Sequence, residues 1–410
     1  MKILFLTQYF PPEVGAPQNR LYELAIRLQN KGAEITILTA MPNYPRMVLM
    51  EKYKGKFYCF ENLDLLKIHR AYIFVKKSRS LFVRLLNFFS FVISSIIIGI
   101  IKIEKQDYIF CESPPLFLGI SALILVKIKR AKLIFNVSDL WPESAEKLGL
   151  VNNKFLLNIS KNLEEYLYKK SYIITGQTQG IINNISARFP AKKTYWLKNG
   201  VDTRLFEKIS NYQWRIEKGF STNDFLVLYA GILGYAQGLD VILYAAKILQ
   251  SNSEIKFIIL GDGPEKERLK KLSDDLNLKN VLFMDPELKE RMPLIIKSIN
   301  TSVIPLKKID LFKGAIPSKI FEILASKKPI LLGVEGEAKD LFITDGKCGL
   351  SFIPEDAEDL AKNIIELYNS PSLADISGLN GFNYVSKNFN RDSIVEEFWN
   401  VLISQKLNCE

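Results

Sequence analysis

Ile316-Pro317-Ser318-Lys319-Ile320-Phe321-Glu322-Ile323-Leu324-Ala325-Ser326 is the stretch on which the reading of this 410-residue chain turns. Ile320, Ile323 and Leu324 fall at i, i+3 and i+4, the apolar stripe of a short helix. Ser318, Lys319 and Glu322 then share the other side, because positions three and four apart are neighbours on a helix. Pro317 suits a first helical position, where a missing N–H costs nothing. A helix start that carries N–H groups, a hydroxyl and a lysine attracts an anion, and a carboxylate one turn on can pair with vicinal hydroxyls. Phosphate at the mouth and ribose a turn further in describe a nucleotide. An ordinary surface helix with a charged face fits the same residues, so the surrounding chain decides.

On both sides of this stretch the chain alternates strand and helix, the pattern of a parallel α/β sheet. Lys2–Leu6 is an apolar run, Phe10–Pro17 a Pro/Gly loop, and Leu21, Leu24, Ala25 and Leu28 recur at helical spacing before a strand at Ile35–Thr39. Further strands are expected at Tyr108–Glu112, Lys132–Val137, Tyr172–Thr175 and Tyr195–Leu197, then at Phe225–Ala230, Lys256–Leu260, Val281–Met284, Ser302–Leu306 and Pro329–Gly333. Residues 40–60 read as a long loop. Lys198-Asn-Gly-Val-Asp202 carries a turn signal and marks the junction of two domains, 1–200 and 201–385, with a terminal helix over 386–410. Ligands of such sheets bind at the carboxyl ends of strands. Gly15, the loop Gly231–Gly238, the turn Gly261-Asp262-Gly263-Pro264, and Asp139-Leu-Trp141-Pro-Glu143 all lie at such ends. If the strand-end loops of the two domains face each other, a ligand cleft results.

Charge divides the chain. Residues 1–200 carry 29 Lys and Arg against 14 Asp and Glu, whereas 201–410 carry 26 against 30, for a total of +11. A basic half suggests a surface that meets nucleic acid or anionic lipid. Lipid is favoured, because the basic residues flank the uncharged run Phe88–Ile101 and no aromatic stacking platform accompanies them. Fourteen uncharged residues fall short of the roughly 20 that span a bilayer, so a helix lying in the membrane interface is expected, with a buried core helix as the alternative. The N-terminus lacks a signal-peptide core, which points to the cytoplasm. The four cysteines show no paired spacing, and His69, the single histidine, cannot build a His-rich metal site.

Taken together, Pro11-Pro12-Glu13-x-Gly15, Asn199-Gly-Val-Asp202, Gly261-Asp-Gly-Pro264 and the Pro317–Glu322 helix resemble a GT4-type glycosyltransferase of the GT-B fold. That fold has two Rossmann-like parallel-sheet domains facing a central cleft, with a C-terminal helix returning to the first domain. Asp139-Leu-Trp-Pro-Glu-Ser144, Ala236-Gln-Gly-Leu239 and Pro317-Ser-Lys319 are similar to the branch of O-antigen and capsule enzymes of the L-fucosamine-transferring type.

The resemblance implies retaining transfer of a sugar from a UDP-sugar to a polyprenyl-diphosphate-linked saccharide at the inner face of the cell membrane. The second domain would hold the donor through Gly234, Gln237, Gly261, Asp262, Gly263, Lys307, Pro317, Ser318 and Glu322, with Gly15 admitting the diphosphate. The first would hold the acceptor through Glu13, Trp141 and Glu143. Asp139 and Lys319 are the candidate catalytic groups. The chain departs from the family pattern at Gly314, where the first glutamate of Glu-x7-Glu is expected, and at Ile232 and Gln237, where an arginine and a lysine usually bind phosphate. Lys319, Lys307 or Lys308 then has to meet the diphosphate charge, helped by the helix start. No Asp-x-Asp stands at a strand end to hold Mg²⁺, so no metal and no cofactor are expected. A sugar-nucleotide epimerase and a catalytically inactive membrane scaffold are the rival readings.

Overall fold

The computed structural model describes residues 1–13, 15–44, 47–78, 80–149, 151–207 and 213–407. Arg79, one of the basic residues before the apolar run, and Cys409, one of the four cysteines, lie outside them. The chain divides into two compact units, one of Met1–Lys198 with Asp392–Glu410, the other of Asn199–Arg391.

The first unit is built on eight strands: β1 (Lys2–Leu6), β2 (Glu34–Ala40), β3 (Tyr58–Leu63), β4 (Leu66–Ala71), β5 (Tyr108–Ser113), β6 (Lys132–Val137), β7 (Ile173–Gly176) and β8 (Thr194–Trp196). Their order is β3-β4-β2-β1-β5-β6-β7-β8. The central strands are continuous apolar runs because helices cover both faces of the sheet. All pairings are parallel except β3 with β4, which corrects the expectation of a wholly parallel sheet; the long loop expected over residues 40–60 ends at Tyr58, where β3 begins. The strand at Tyr58–Leu63 escapes a sequence reading because it is a half-exposed edge with little apolar alternation. Arg70 of β4 holds this hairpin. Its fully buried guanidinium pairs with Glu61 across the edge and donates to the carbonyls of Ala40 and Pro11. His69 is nearly buried beside Tyr58 and Phe60, and burial pushes its ring down to about 4, so it stays neutral.

The terminal helix Arg391–Leu407 belongs to this first unit: Ile394, Val395, Phe398 and Leu402 join Ile3, Phe5, Leu21 and Tyr108 in one core. The apolar helix runs Leu81–Lys102, longer than its uncharged run, because Arg84 projects to solvent and buried Asn87 is bonded to Gln8 and to the Phe74 carbonyl. It is long and apolar enough to cross a membrane by length and composition.

The second unit holds β9 (Phe225–Ala230), β10 (Ile255–Leu260), β11 (Val281–Met284), β12 (Thr301–Pro305), β13 (Ile330–Gly333) and β14 (Gly349–Ser351), all parallel, in the order β11-β10-β9-β12-β13-β14. The strand order reverses between β9 and β12, and a doubly wound sheet opens a ligand crevice at such a point.

Candidate functional site

The glycine loop follows β9 at that reversal and lies backbone-to-backbone on the turn after β10. Gly231 N–H donates to Leu260, Leu233 N–H to Asp262, and Glu265 N–H back to Leu233, at 2.9 to 3.0 Å. Gly261 makes this approach possible: its φ is +152°, and a Cβ there would stand 1.9 Å from the Gly231 carbonyl oxygen. A side chain at Gly263 would likewise come within 2.4 Å of the Leu233 oxygen. Exposed Asp262 accepts from Gly263 N–H at 2.9 Å and caps the turn. The loop then makes a short 3-10 turn, Tyr235–Gln237. Lys307, just past β12, is drawn onto that turn by its N–H bond to the Ala236 carbonyl at 3.0 Å. Gln237 folds its amide back towards Gly234, where a Cβ would meet Oε1 at 2.7 Å.

Lys319 reaches the same place from the opening stretch. Its Nζ lies 3.7 Å from the centroid of the buried Tyr229 ring and would be 3.0 Å from a Cβ on Gly231. With so little water around it, burial pushes the amine down to about 7. Lys319 is thus a cation held near its titration point directly beneath the glycine loop. The helix itself is Lys319–Ala325, so Pro317 precedes it rather than opening it. The carbonyls of Pro317 and Ser318 accept the N–H groups of Ile320 and Phe321. Half-buried Ser318, Lys319 and Glu322 form the face opposite Ile320, Ile323 and Leu324, which are buried.

In the first unit the residues proposed for the acceptor fall into three settings. Glu13 is buried, its carboxylate accepting N–H bonds from Asn43 at 2.7 Å, Tyr44 at 2.8 Å and Phe10 at 3.2 Å. Burial raises its pKa and those bonds oppose the rise. Its carboxylate is committed to backbone, so its part in any acceptor site is to hold the loop. Gly15 has φ 174°, ordinary extended backbone, and a Cβ there would strike Gln18 Oε1 at 2.4 Å. The glycine makes room for a buried glutamine. Asp139 lies on an exposed strand end, yet desolvation by its surroundings raises its carboxyl while bonds from Ser144 and Leu140 lower it. Trp141 is half-buried against Phe117, and Glu143 pairs with Lys147 at 2.7 Å.

A polar cluster at the carboxyl ends of β5, β6 and β7 has no motif to announce it. Buried Glu112 takes bonds from Arg20 Nη2 and Asn136 Nδ2, both at 2.6 Å, and from the Ser138 hydroxyl. Gln177 donates to Ser138 at 2.8 Å, and Thr175 to Asn136 at 2.6 Å. A buried glutamate at a strand end is the one signal the sequence offered. Among the described residues no group of three or more His, Cys, Asp or Glu could hold a metal ion.

Residues 211–383 match the family model described as Glycosyl transferases group 1. The chain is 23% identical over 410 residues to the colanic acid biosynthesis glycosyl transferase WcaI of Escherichia coli K12, covering 98% of this chain and 99% of that one. Sucrose-phosphate synthase from Thermosynechococcus elongatus matches at a TM-score of 0.79 and 16% identity over 100% of both chains. HepE of Anabaena, in complex with UDP-glucose, matches at 0.73 and 17% over 98% of this chain and 100% of that one. The match to the group 1 glycosyl transferase model thus falls within the second unit, and the two α/β units have the fold of these GT-B neighbours.

Proposed function

We propose that this protein is a metal-independent, retaining glycosyltransferase of bacterial surface polysaccharide synthesis. It takes a sugar, an N-acetylated deoxyhexosamine of the L-fucosamine type, from a UDP-sugar and adds it to a polyprenyl-diphosphate-linked saccharide. Lys319 against the glycine loop is the observation that carries the reading. Breaking the glycosyl–phosphate bond leaves the electron pair on the β-phosphate oxygen, and a low-dielectric site makes a nearby cation effective against that charge. Lys307 adds a second cation, Glu322 bonds the ribose hydroxyls, and the Gly261–Gly263 turn receives the base. The acceptor hydroxyl attacks the anomeric carbon from the face the diphosphate leaves, which retains configuration, and Asp139 receives its proton. A relative named for colanic acid biosynthesis and a fold neighbour in complex with UDP-glucose support this substrate class.

The proposed location is the cytoplasmic face of the membrane, reached through the Leu81–Lys102 helix. Phe82, Leu86, Phe89, Ile93, Ile97 and Ile101 make an exposed stripe at helical spacing, with Lys102 and Lys105 at its end. The other side is committed to the first unit: Phe91, Val92 and Ile98 are buried and Ser95 is bonded to Ser121. A helix packed along one side lies in the interface more readily than it spans.

The test is nucleoside diphosphate release from a panel of UDP-sugars, with and without a polyprenyl-diphosphate-linked saccharide. Release only with acceptor present, undiminished by chelator, and a product of unchanged anomeric configuration are expected. Interconversion of the UDP-sugar without acceptor would make the protein an epimerase. Loss of turnover in chelator, restored by divalent metal, would overturn the metal-independent step.

A further inference from the structure

The exposed helix stripe and the Asp139 loop are joined by a ladder of aromatic rings. Phe89, on the stripe and 37% exposed, stands 4.9 Å from Phe117 between ring centroids. Phe117 stands 5.6 Å from Trp141 in an edge-to-face contact, and Phe88 flanks it at 6.5 Å. The three main rings come from three places: the Leu81–Lys102 helix, the segment after β5 and the loop after β6. The backbone N–H of Trp141 donates to the Asp139 backbone carbonyl at 2.9 Å, so the ladder ends on the loop that carries the residue proposed to receive the acceptor proton. Phe117 is buried while Phe89 is exposed and Trp141 half-buried, so the ladder is open to solvent at both ends instead of closing into a core.

We infer that this ladder is a binding track for the isoprenoid chain of the lipid-linked acceptor, leading it from the bilayer to the strand-end loop. Flat alkene units of such a chain lie well on aromatic faces, and the occupant shields what water now meets. The charge also fits, since a chain tethered to a diphosphate needs cations beside its apolar bed. The half of the protein that carries the ladder holds the whole basic excess, and Lys102 closes the helix that bears Phe89, with Lys105 just beyond it. A second copy of this chain would bring the same basic surface against itself.

The inference rests on the lipid-linked acceptor of the proposed function, and two acceptors separate the two claims. Each carries the same saccharide diphosphate, one on a long polyprenyl chain and one on a short water-soluble alkyl chain. Both are assayed in detergent micelles, so that docking to a bilayer is not what is measured. The wild type should prefer the long chain, and Phe89→Ser and Phe117→Leu should each shrink that preference about tenfold through KM, as losing apolar contact on one ring predicts. Phe155→Ser, an equally apolar change at a 71% exposed position off the ladder, should leave the preference unaltered. Equal turnover of both acceptors by the wild type, or a preference that survives both ladder variants, overturns the track and leaves the lipid-linked acceptor standing. Turnover of neither, with turnover of a free saccharide, overturns the acceptor and the track with it.

Discussion

With the donor site as proposed, Lys319 should make UDP binding a proton-linked event. Its amine is held near 7 in the free protein against 10.5 in solution because its Nζ is buried against Tyr229 and the glycine loop. A diphosphate placed there favours the charged form, so the group titrates well above 7 in the complex. Between those two values binding takes up one proton, and affinity falls as pH rises. With a free-state value of about 7 and a complex that stays protonated throughout, the dissociation constant should weaken about sixteenfold from pH 7 to pH 8.5. The same depression acts on stability with the opposite sense. The unfolded chain binds more protons than the folded one between about 7 and 10.5, so the free protein gains stability as pH rises through that window. At pH 7 the buried lysine costs about 4 kcal/mol. Lys319→Met should therefore raise the melting temperature while lowering turnover about 10² or more. Calorimetric titration of UDP in buffers of different ionisation enthalpy counts the protons directly. Affinity that is flat from pH 7 to 8.5, or a proton count unchanged in Lys319→Met, would refute the placement of this amine at the diphosphate.

Gly261→Ala should separate the glycine loop from the turn after β10, since the new methyl has the Gly231 oxygen at 1.9 Å. About 2 kcal/mol or more of stability should be lost, read as a lower urea midpoint together with weaker UDP binding. Glu322→Ala should reduce kcat/KM for the donor about 10², with Glu322→Gln recovering part of it through the remaining hydrogen bonds, and near-normal donor kinetics would remove Glu322 from the site. Ile93→Asp, at a 59% exposed position on the apolar stripe, should lower binding to anionic vesicles more than tenfold in a flotation assay while leaving the melting temperature within a degree. Unchanged flotation would move the membrane contact elsewhere.

Much of the architecture was legible because parallel sheets advertise themselves. Strands buried on both faces must be apolar from end to end, as Phe5, Ile109, Phe135, Ile258 and Leu331 show, and the helices between them keep their own period. The edge strand was hidden for the converse reason: Tyr58–Leu63 has one side in water, and the side chain that holds it is a buried arginine six residues downstream of the turn's start. The glycines were visible as a cluster, but their reasons differ. Gly261 and Gly263 are demanded by a backbone approach between two loops, whereas Gly15 accommodates the side chain of Gln18. Glu13 read as a group that meets a ligand, and its burial turns it inward. Arg20, Glu112, Ser138 and Gln177 could not have been assembled, because they are spread over 158 residues and meet only when their strands align.

By itself the sequence determined the alternation of strand and helix, the two-unit organisation, the basic character of the first half and the helical face shared by Ser318, Lys319 and Glu322. These follow from local period and composition, which hold whatever the rest of the chain does. Only the tertiary structure decided what Lys319 is. One turn of helix shows a lysine beside a hydroxyl and a carboxylate, an ordinary charged surface. The strand reversal between β9 and β12 brings that lysine beneath a glycine loop almost ninety positions away, against the ring of Tyr229. Its proton is held loosely because of that burial, a property of the packed environment that no spacing in the chain encodes.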